Sequence, residues 1–245
     1  MNTSTSKIHV SNLSHIFIED GVRTHALQDI TFDVKEEEFF SILGPSGCGK
    51  STLLRILAGM AAPTHGKVEF GSEKSMAFVF QAFALFPWLT VYENVEFGLR
   101  MKNVPEKIRR RLAEEHIHEI GLAGFEKVYP KDLSGGMKQR VGIARAFAME
   151  PHILLMDEAF SALDVFTAEK LRQDVLDVWL KDKMTIVNVT HSVEEAVQMS
   201  DRVLVMTPQP GRVEKELVID LPRPRDRRSK EFFDYVDHIY QAVKV

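Results

Sequence analysis

Gly44-Pro45-Ser46-Gly47-Cys48-Gly49-Lys50-Ser51-Thr52 is the stretch from which the fold of this chain can be read. Its first eight residues fit G-x-x-x-x-G-K-[ST], the pattern of a phosphate-binding loop. Phe39 to Leu43, just before it, reads as a short buried strand. Ser51 to Gly59, just after it, reads as a helix that buries Leu53, Leu54, Ile56 and Leu57 and is stopped by Pro63 and Gly66. A strand, a glycine-rich turn and a helix N-terminus are the context this motif requires. Glycines let backbone N–H groups converge on phosphate oxygens without a Cβ in the way, and the helix N-terminus adds the positive end of its dipole. Lys50 then reaches the β- and γ-phosphates and Ser51 ligates Mg2+, so ATP and Mg2+ are the expected ligands. Cys48 is the chain's one cysteine. A thiol at a helix N-terminus can have a lowered pKa, so its alkylation is expected to block ATP binding and ATP to protect it.

The flanking sequence extends this reading. Residues 7–43 alternate apolar with polar, with Ile30, Phe32 and Val34 on one face, and turn residues sit at Glu19-Asp20-Gly21. They predict antiparallel strands. Residues 88–150 read as mostly helical, with a charged helix over 107–120 (apolar at Ile108, Leu112, His116 and Ile120) and another over 136–149. Strands at 152–157, 184–190 and 202–207 alternate with helices at 166–182 and 192–200, which implies a parallel sheet. A last helix, 229–243, carries Phe232, Phe233, Val236 and Ile239 as a packing stripe. The expected fold is α/β: a P-loop NTPase core with an N-terminal antiparallel β subdomain and a helical insertion. The expected organisation is one domain, 1–245, in two lobes: a RecA-like core of about 1–87 and 151–245, and a helical subdomain of about 88–150.

Ile153-Leu154-Leu155-Met156 is an apolar run that delivers Asp157 and Glu158 at its end, the edge where α/β sheets bind ligands. Asp157 suits the Mg2+ shell, and Glu158 suits polarising the attacking water. Leu133-Ser134-Gly135-Gly136-Met137-Lys138-Gln139-Arg140 offers a second phosphate cradle: a hydroxyl at Ser134, exposed N–H groups at Gly135 and Gly136, and a helix start. A chain with one complete cradle can use a second to cap the nucleotide of another copy.

That run resembles the LSGGQ signature of ABC ATPases, with Met137 in place of Gln, and the resemblance covers nearly the whole chain. It implies that Gln81, in Phe80-Gln81, contacts Mg2+ or the attacking water. It implies that Ser161-Ala162-Leu163-Asp164 is the D-loop crossing a dimer interface. It also implies that His191 contacts the γ-phosphate and that Phe17 stacks on adenine. Phe80 to Val91, with Leu85-Phe86-Pro87-Trp88-Leu89-Thr90-Val91, is similar to the Q-loop region of nitrate, sulfonate and taurine import ATPases; Leu133–Arg145 and Val203–Arg212 look alike too. The resemblance implies an ATP hydrolase on the cytoplasmic face of the inner membrane. Its partners would be a second copy or a paralogous ATPase, transmembrane permease subunits and, through them, an extracytoplasmic solute-binding protein. Phe83, Phe86 and Trp88 would line a groove for the permease. Ala159 and Ser161 depart from the family's DEP-F-G-ALD, and Glu37 stands where glycine is common.

Composition agrees. The chain has 245 residues, 44% hydrophobic and 27% charged, with a net charge of −4, which is an ordinary globular balance. One thiol forms no intrachain disulfide. Met1 to Val10 is polar, so a signal peptide is not expected, and no stretch approaches 18 uninterrupted apolar residues. The residues after the last strand-like segment are too few for the regulatory C-terminal domain of sugar-type import ATPases, so none is expected. His116 and His118, two apart on a helix, make a poor metal pair. The alternative, a non-transport ABC ATPase acting on nucleic acid or ribosomes, is supported only by Arg109-Arg110-Arg111 and Arg223–Arg228, read as solvated surface. With the acidic balance, no nucleic-acid partner is expected.

Overall fold

A computed structural model describes residues 6–71 and 75–243; the first five residues of the polar N-terminal stretch lie outside them. In chain order the elements are β1 (Ser6–Glu19), β2 (Val22–Lys35), β3 (Phe39–Leu43), α1 (Lys50–Leu57), β4 (His65–Phe70), β5 (Met76–Val79), α2 (Val91–Met101), α3 (Glu106–Glu119), α4 (Gly135–Phe147), β6 (Ile153–Asp157), α5 (Val165–Asp182), β7 (Thr185–Thr190), α6 (Val193–Met199), β8 (Arg202–Met206), β9 (Val213–Val218) and α7 (Lys230–Val243). They fall into two compact units, Met1–Lys74 with Met184–Val245, and Ser75–Lys183.

In the first unit, β1 pairs antiparallel with both β2 and β4. Asp20 (φ 49°) and Gly21 (φ 78°) make the β1–β2 turn, and two successive positive φ angles match the right-handed twist of a hairpin. Ile8, Val10, Leu13, Leu27, Ile30 and Phe32 fill the inner face of this sheet. β3 lies parallel between β7 and β8, and β9 closes antiparallel on β8. Every residue of β3, β7 and β8 is buried, as a strand covered on both faces must be. Arg202 meets Glu38 at 3.0 and 2.9 Å, and its guanidinium lies 5.1 Å from the Phe40 ring centroid. α7 seats Phe232, Val236 and Ile239 among Leu43, Val193, Val197, Val203 and Val205.

The second unit holds the parallel pair β5–β6 and helices α2 to α5. Thr90 and Glu93 form a reciprocal capping box at the start of α2, satisfying donors that the first turn cannot. Arg140 ties α4 to α5 through Asp174 at 2.5 Å and to the end of α3 through the Ile120 carbonyl at 2.6 Å.

Several expectations need correction. α1 stops at Leu57, with Gly59 at φ 72°, several residues before Pro63, because glycine takes the left-handed turn that ends a helix. Ile108 is exposed, and Ala113 and Ile117 fill the face assigned to it. Phe233 is exposed, one position off the buried stripe of α7. β4, β5 and β9 were not anticipated; β4 and β9 are half-exposed and weakly patterned. The run from Arg223 is not simply solvated surface. Arg223 bonds Asp201 and the Met199 carbonyl, each at 2.6 Å. Arg225 donates to the carbonyls of Val197, Ser200, Ile219 and Leu221, and burial pulls its pKa down to about 10.

Glu37, at the position where glycine is common, has φ 58°, and its N–H donates to Thr185 Oγ1 at 3.0 Å. The left-handed region disfavours a side chain and suits glycine. Glu37→Gly is therefore expected to raise stability by about 0.5 kcal/mol or more, read as a higher denaturant midpoint with an unchanged slope.

Candidate nucleotide site

In the first unit the phosphate loop runs from the end of β3 into α1. Gly49 is the N-cap of α1 with φ 96°, and no side chain caps the helix. A Cβ at Gly49 would stand 2.8 Å from both the Ala26 carbonyl and Leu27 Cδ2, so conformation and close approach both require glycine. Lys50 is buried, and its Nζ donates to the carbonyls of Gly44 and Pro45 at 2.8 and 2.9 Å. Ser46 and Gly47 are exposed at the loop's tip, while Ser51 and Thr52 are half-buried in the first turn of α1. A helix N-terminus without a side-chain cap, beside a lysine held by loop carbonyls, fits a phosphate chain. Gly211 backs the loop. A Cβ there would collide with the Cys48 carbonyl, and the residue bonds β2 through Gln28 N–H and the Ala26 carbonyl. Gly211 was not singled out from the sequence; the turn-forming run Pro208-Gln209-Pro210-Gly211 is the signal that could have found it.

The expected activation of Cys48 is overturned. The thiol is fully buried, and burial raises its pKa, outweighing the nearby Lys50 ammonium and the hydrogen bonds that act the other way. Phe17 is exposed on β1, with its ring edge-on to His15 at 4.6 Å. His191 is exposed directly after β7. The turn there is held by Ser192 N–H on Thr190 Oγ1 at 3.0 Å and by Ser192 Oγ accepting the Glu195 N–H at 3.2 Å as the N-cap of α6.

In the second unit, Asp157 is buried at the end of β6, and Glu158 follows with φ 47°. The Glu158 carbonyl accepts from Ser161 N–H at 3.1 Å and Ser161 Oγ at 2.9 Å. The serine that departs from the family pattern thus pins a strained backbone, which in the left-handed region costs about 1 kcal/mol. Gln81 Nε2 donates to Glu158 Oε2 at 3.3 Å, so the structure brings these two together. Ser134 is the N-cap of α4 and accepts the Met137 N–H at 3.3 Å. Ser134 and Gly135 are exposed, and a Cβ on Gly136 would press on Thr167 at 2.7 Å. Asp164 caps α5; hydrogen bonds from Thr167 and Phe166 hold its carboxyl below the ordinary range.

The segment after Gln81 is built by residues that the sequence did not single out. Phe83 (φ 41°) and Ala84 (φ 48°) are both left-handed. Arg145 Nη1 donates to the Ala84 carbonyl at 2.6 Å and Nη2 to that of Phe83 at 3.4 Å. Asn94, fully buried, bonds the Phe86 N–H and the carbonyls of Phe86, Leu89 and Thr90 at 2.9 to 3.1 Å. Of the three aromatic residues, Trp88 is 70% exposed. Phe83 and Phe86 are half-buried, Phe86 lying 4.4 Å from the Phe97 ring.

The first unit offers the Ser51 hydroxyl, and the second the Gln81 amide oxygen and the Asp157 carboxylate; oxygen donors of this kind suit Mg2+. Among the described residues no cluster of three or more His, Cys, Asp or Glu could hold a metal. Mg2+ that shares its shell with substrate phosphates needs no such cage.

Residues 27–161 match the family model described as ABC transporter. An uncharacterised ABC transporter ATP-binding protein of Methanocaldococcus jannaschii is 49% identical, covering 97% of this chain and 91% of that one. The chain belongs to the ABC transporter ATPases. As an ABC ATPase it binds and hydrolyses ATP. The nitrate import ATP-binding protein NrtD of Synechocystis is 40% identical over 97% of this chain and 95% of its own. An aliphatic sulfonates import ATP-binding protein of Bacillus licheniformis is 43% identical over 88% and 86%, in line with the subfamily expected from the Q-loop run. A dimeric post-hydrolysis structure of the ATP-binding cassette MJ0796, bound to ADP and Pi, superposes with a TM-score of 0.79 at 34% identity, covering 88% of this chain and 100% of that one.

Burial sets the expected reactivity of Cys48 in this ABC ATPase. Iodoacetamide is expected to label it roughly a hundredfold more slowly in the folded chain than in denaturant at the same pH, read by mass spectrometry; equal rates would contradict the burial.

Proposed function

We propose that the chain is the ATPase subunit of an importer for a small anion such as nitrate, a sulfonate or taurine. It sits peripherally on the cytoplasmic face of the inner membrane. Its partners are a second copy or a paralogous ATPase, transmembrane permease subunits and, through them, an extracytoplasmic solute-binding protein. The observation that carries this reading is the pair of phosphate-suited helix starts. One is a loop with a buried lysine and no side-chain cap; the other is an exposed Ser134 cap. An exposed cradle suits a nucleotide brought by another copy, and ATP that favours the closed pair over the open one supplies the useful energy. The two units work as one ATPase domain. Among the described residues no helix is long and apolar enough to cross a membrane; in this reading the permease passes the solute.

Gly44 to Thr52 take the phosphates. Lys50 moves its donors from the loop carbonyls to the β- and γ-oxygens, and Phe17 offers its open ring to the adenine. Ser51, Gln81 and Asp157 hold Mg2+, which neutralises charge on the phosphates when bound. Glu158 accepts a hydrogen bond from the attacking water and orients it, His191 donates to the γ-phosphate, and Ser134, Gly135 and Gly136 close over the nucleotide of the other copy. Of the arginines that could have suggested nucleic acid, Arg109 pairs with the buried Glu96, while Arg110 and Arg111 pair with Glu114 and Glu115 on the solvated face of α3.

Glu158→Gln keeps shape and removes charge. It is expected to bind ATP within a few-fold of wild type while turnover falls by about 10² or more; wild-type turnover would remove Glu158 from this role. The transport reading is tested in liposomes with the permease, by ATPase activity with and without the binding protein and a panel of small anions. Stimulation by one protein–solute pair is expected. ATP hydrolysis with no permease association would overturn it.

A further inference from the structure

Gln139 lies within the signature run, in α4, and is 2% exposed. Neither its amide nitrogen nor its amide oxygen has a hydrogen-bond partner. A buried primary amide with no bonds is rare, because each unmet group forfeits its water without replacement. Its place on the helix says what it faces. Gly135 and Gly142 lie four residues before it and three after it, on one side of α4. A Cβ on Gly135 would stand 3.8 Å from the Phe83 ring, and one on Gly142 3.3 Å from the Phe83 carbonyl. Gln139 therefore shares the face that abuts residues 82–84, and Arg145, one turn beyond Gly142, grips the carbonyls of Phe83 and Ala84. Among the described residues that segment is the one whose backbone is left-handed at two successive non-glycine residues.

Two unmet costs sit on the two sides of one contact, and a single rearrangement would relieve both. We propose that Gln139 is a positioning residue for the Gln81 segment. Its amide bonds the backbone of residues 82–84 in a second arrangement of that segment, in which Phe83 and Ala84 leave the left-handed region. In the arrangement described above, Gln81 occupies Glu158 Oε2; in the second, Gln81 withdraws and leaves that oxygen to the attacking water. Gln139 thus acts through Gln81 and touches no reacting atom. The catalytic part of this inference rests on the role proposed for Glu158; the conformational part does not.

The test uses the full chain with Gln139→Leu, and Gln139→Met as the second apolar variant of similar size. Both remove the amide and put no unmet polar group in its place, so the melting temperature is expected to hold or rise. With no nucleotide present, hydrogen exchange at the amides of residues 82–85 is expected to slow roughly tenfold, because the second arrangement has lost its partner. In ATPase assays kcat is expected to fall about three- to tenfold with KM for ATP unchanged. Unchanged exchange at 82–85 in both variants, or a lowered melting temperature with faster exchange throughout the second unit, would overturn the proposal. The exchange comparison needs no ATP. A wild type that bound no nucleotide would sink the functional reading and leave this one to be judged on its own data.

Discussion

The first-turn N–H groups of a helix have no partner inside the helix, and much of this molecule is arranged around how each helix meets that constraint. α2, α4, α5 and α6 meet it with a side chain: Thr90, Ser134, Asp164 and Ser192. α3 opens on Pro105 and α1 on Gly49 with none. The glycine is there because the turn needs a left-handed residue pressed against Ala26 and Leu27. The same crowding excludes a capping side chain and leaves the helix start to bind phosphate. β3 and β2 are what bring the turn to that point, so the site depends on the buried parallel strands behind it.

Some of the backbone strain lies beside the chemistry. Glu158, Phe83 and Ala84 all hold left-handed angles, and each is clamped from outside: Glu158 by Ser161, the other two by Arg145. A residue in a sparsely populated conformation persists only when its surroundings over-determine it. The clamps are single side chains that donate to carbonyl oxygens, so the segments carrying Gln81 and Glu158 are set by few bonds and can be reset by few. Glu37 carries the same angle away from the chemistry, on a backbone bond to Thr185. It is the position where the sequence already departed from glycine.

Charge is spent largely on structure. Arg202 is held between Glu38 and Glu216, Arg140 by Asp174, Arg223 by Asp201. Arg225 donates to four carbonyls and gives up part of its basicity to burial. Such arginines act as multidentate hydrogen-bond donors that gather carbonyl groups. Counting them as a basic surface misjudges what the chain presents to its partners.

The sequence by itself determined the phosphate loop, the signature, the carboxylate pair at the end of β6 and the order of strands and helices after residue 150. Each of these is contiguous, so its chemistry is written in neighbouring residues and in a strand or helix period. The family followed from those runs. Only the tertiary structure decided the thiol's basicity, the fate of Arg223 and Arg225, the pairing of β9, the bond from Gln81 to Glu158 and the unmet amide of Gln139. These depend on desolvation and on partners up to 77 residues away, as Gln81 to Glu158 illustrates. No local pattern encodes such distances. A cysteine in a helix-start motif looks activated until one knows that the fold has sealed it from water, and an arginine run looks solvated until one sees the carbonyls gathered around it.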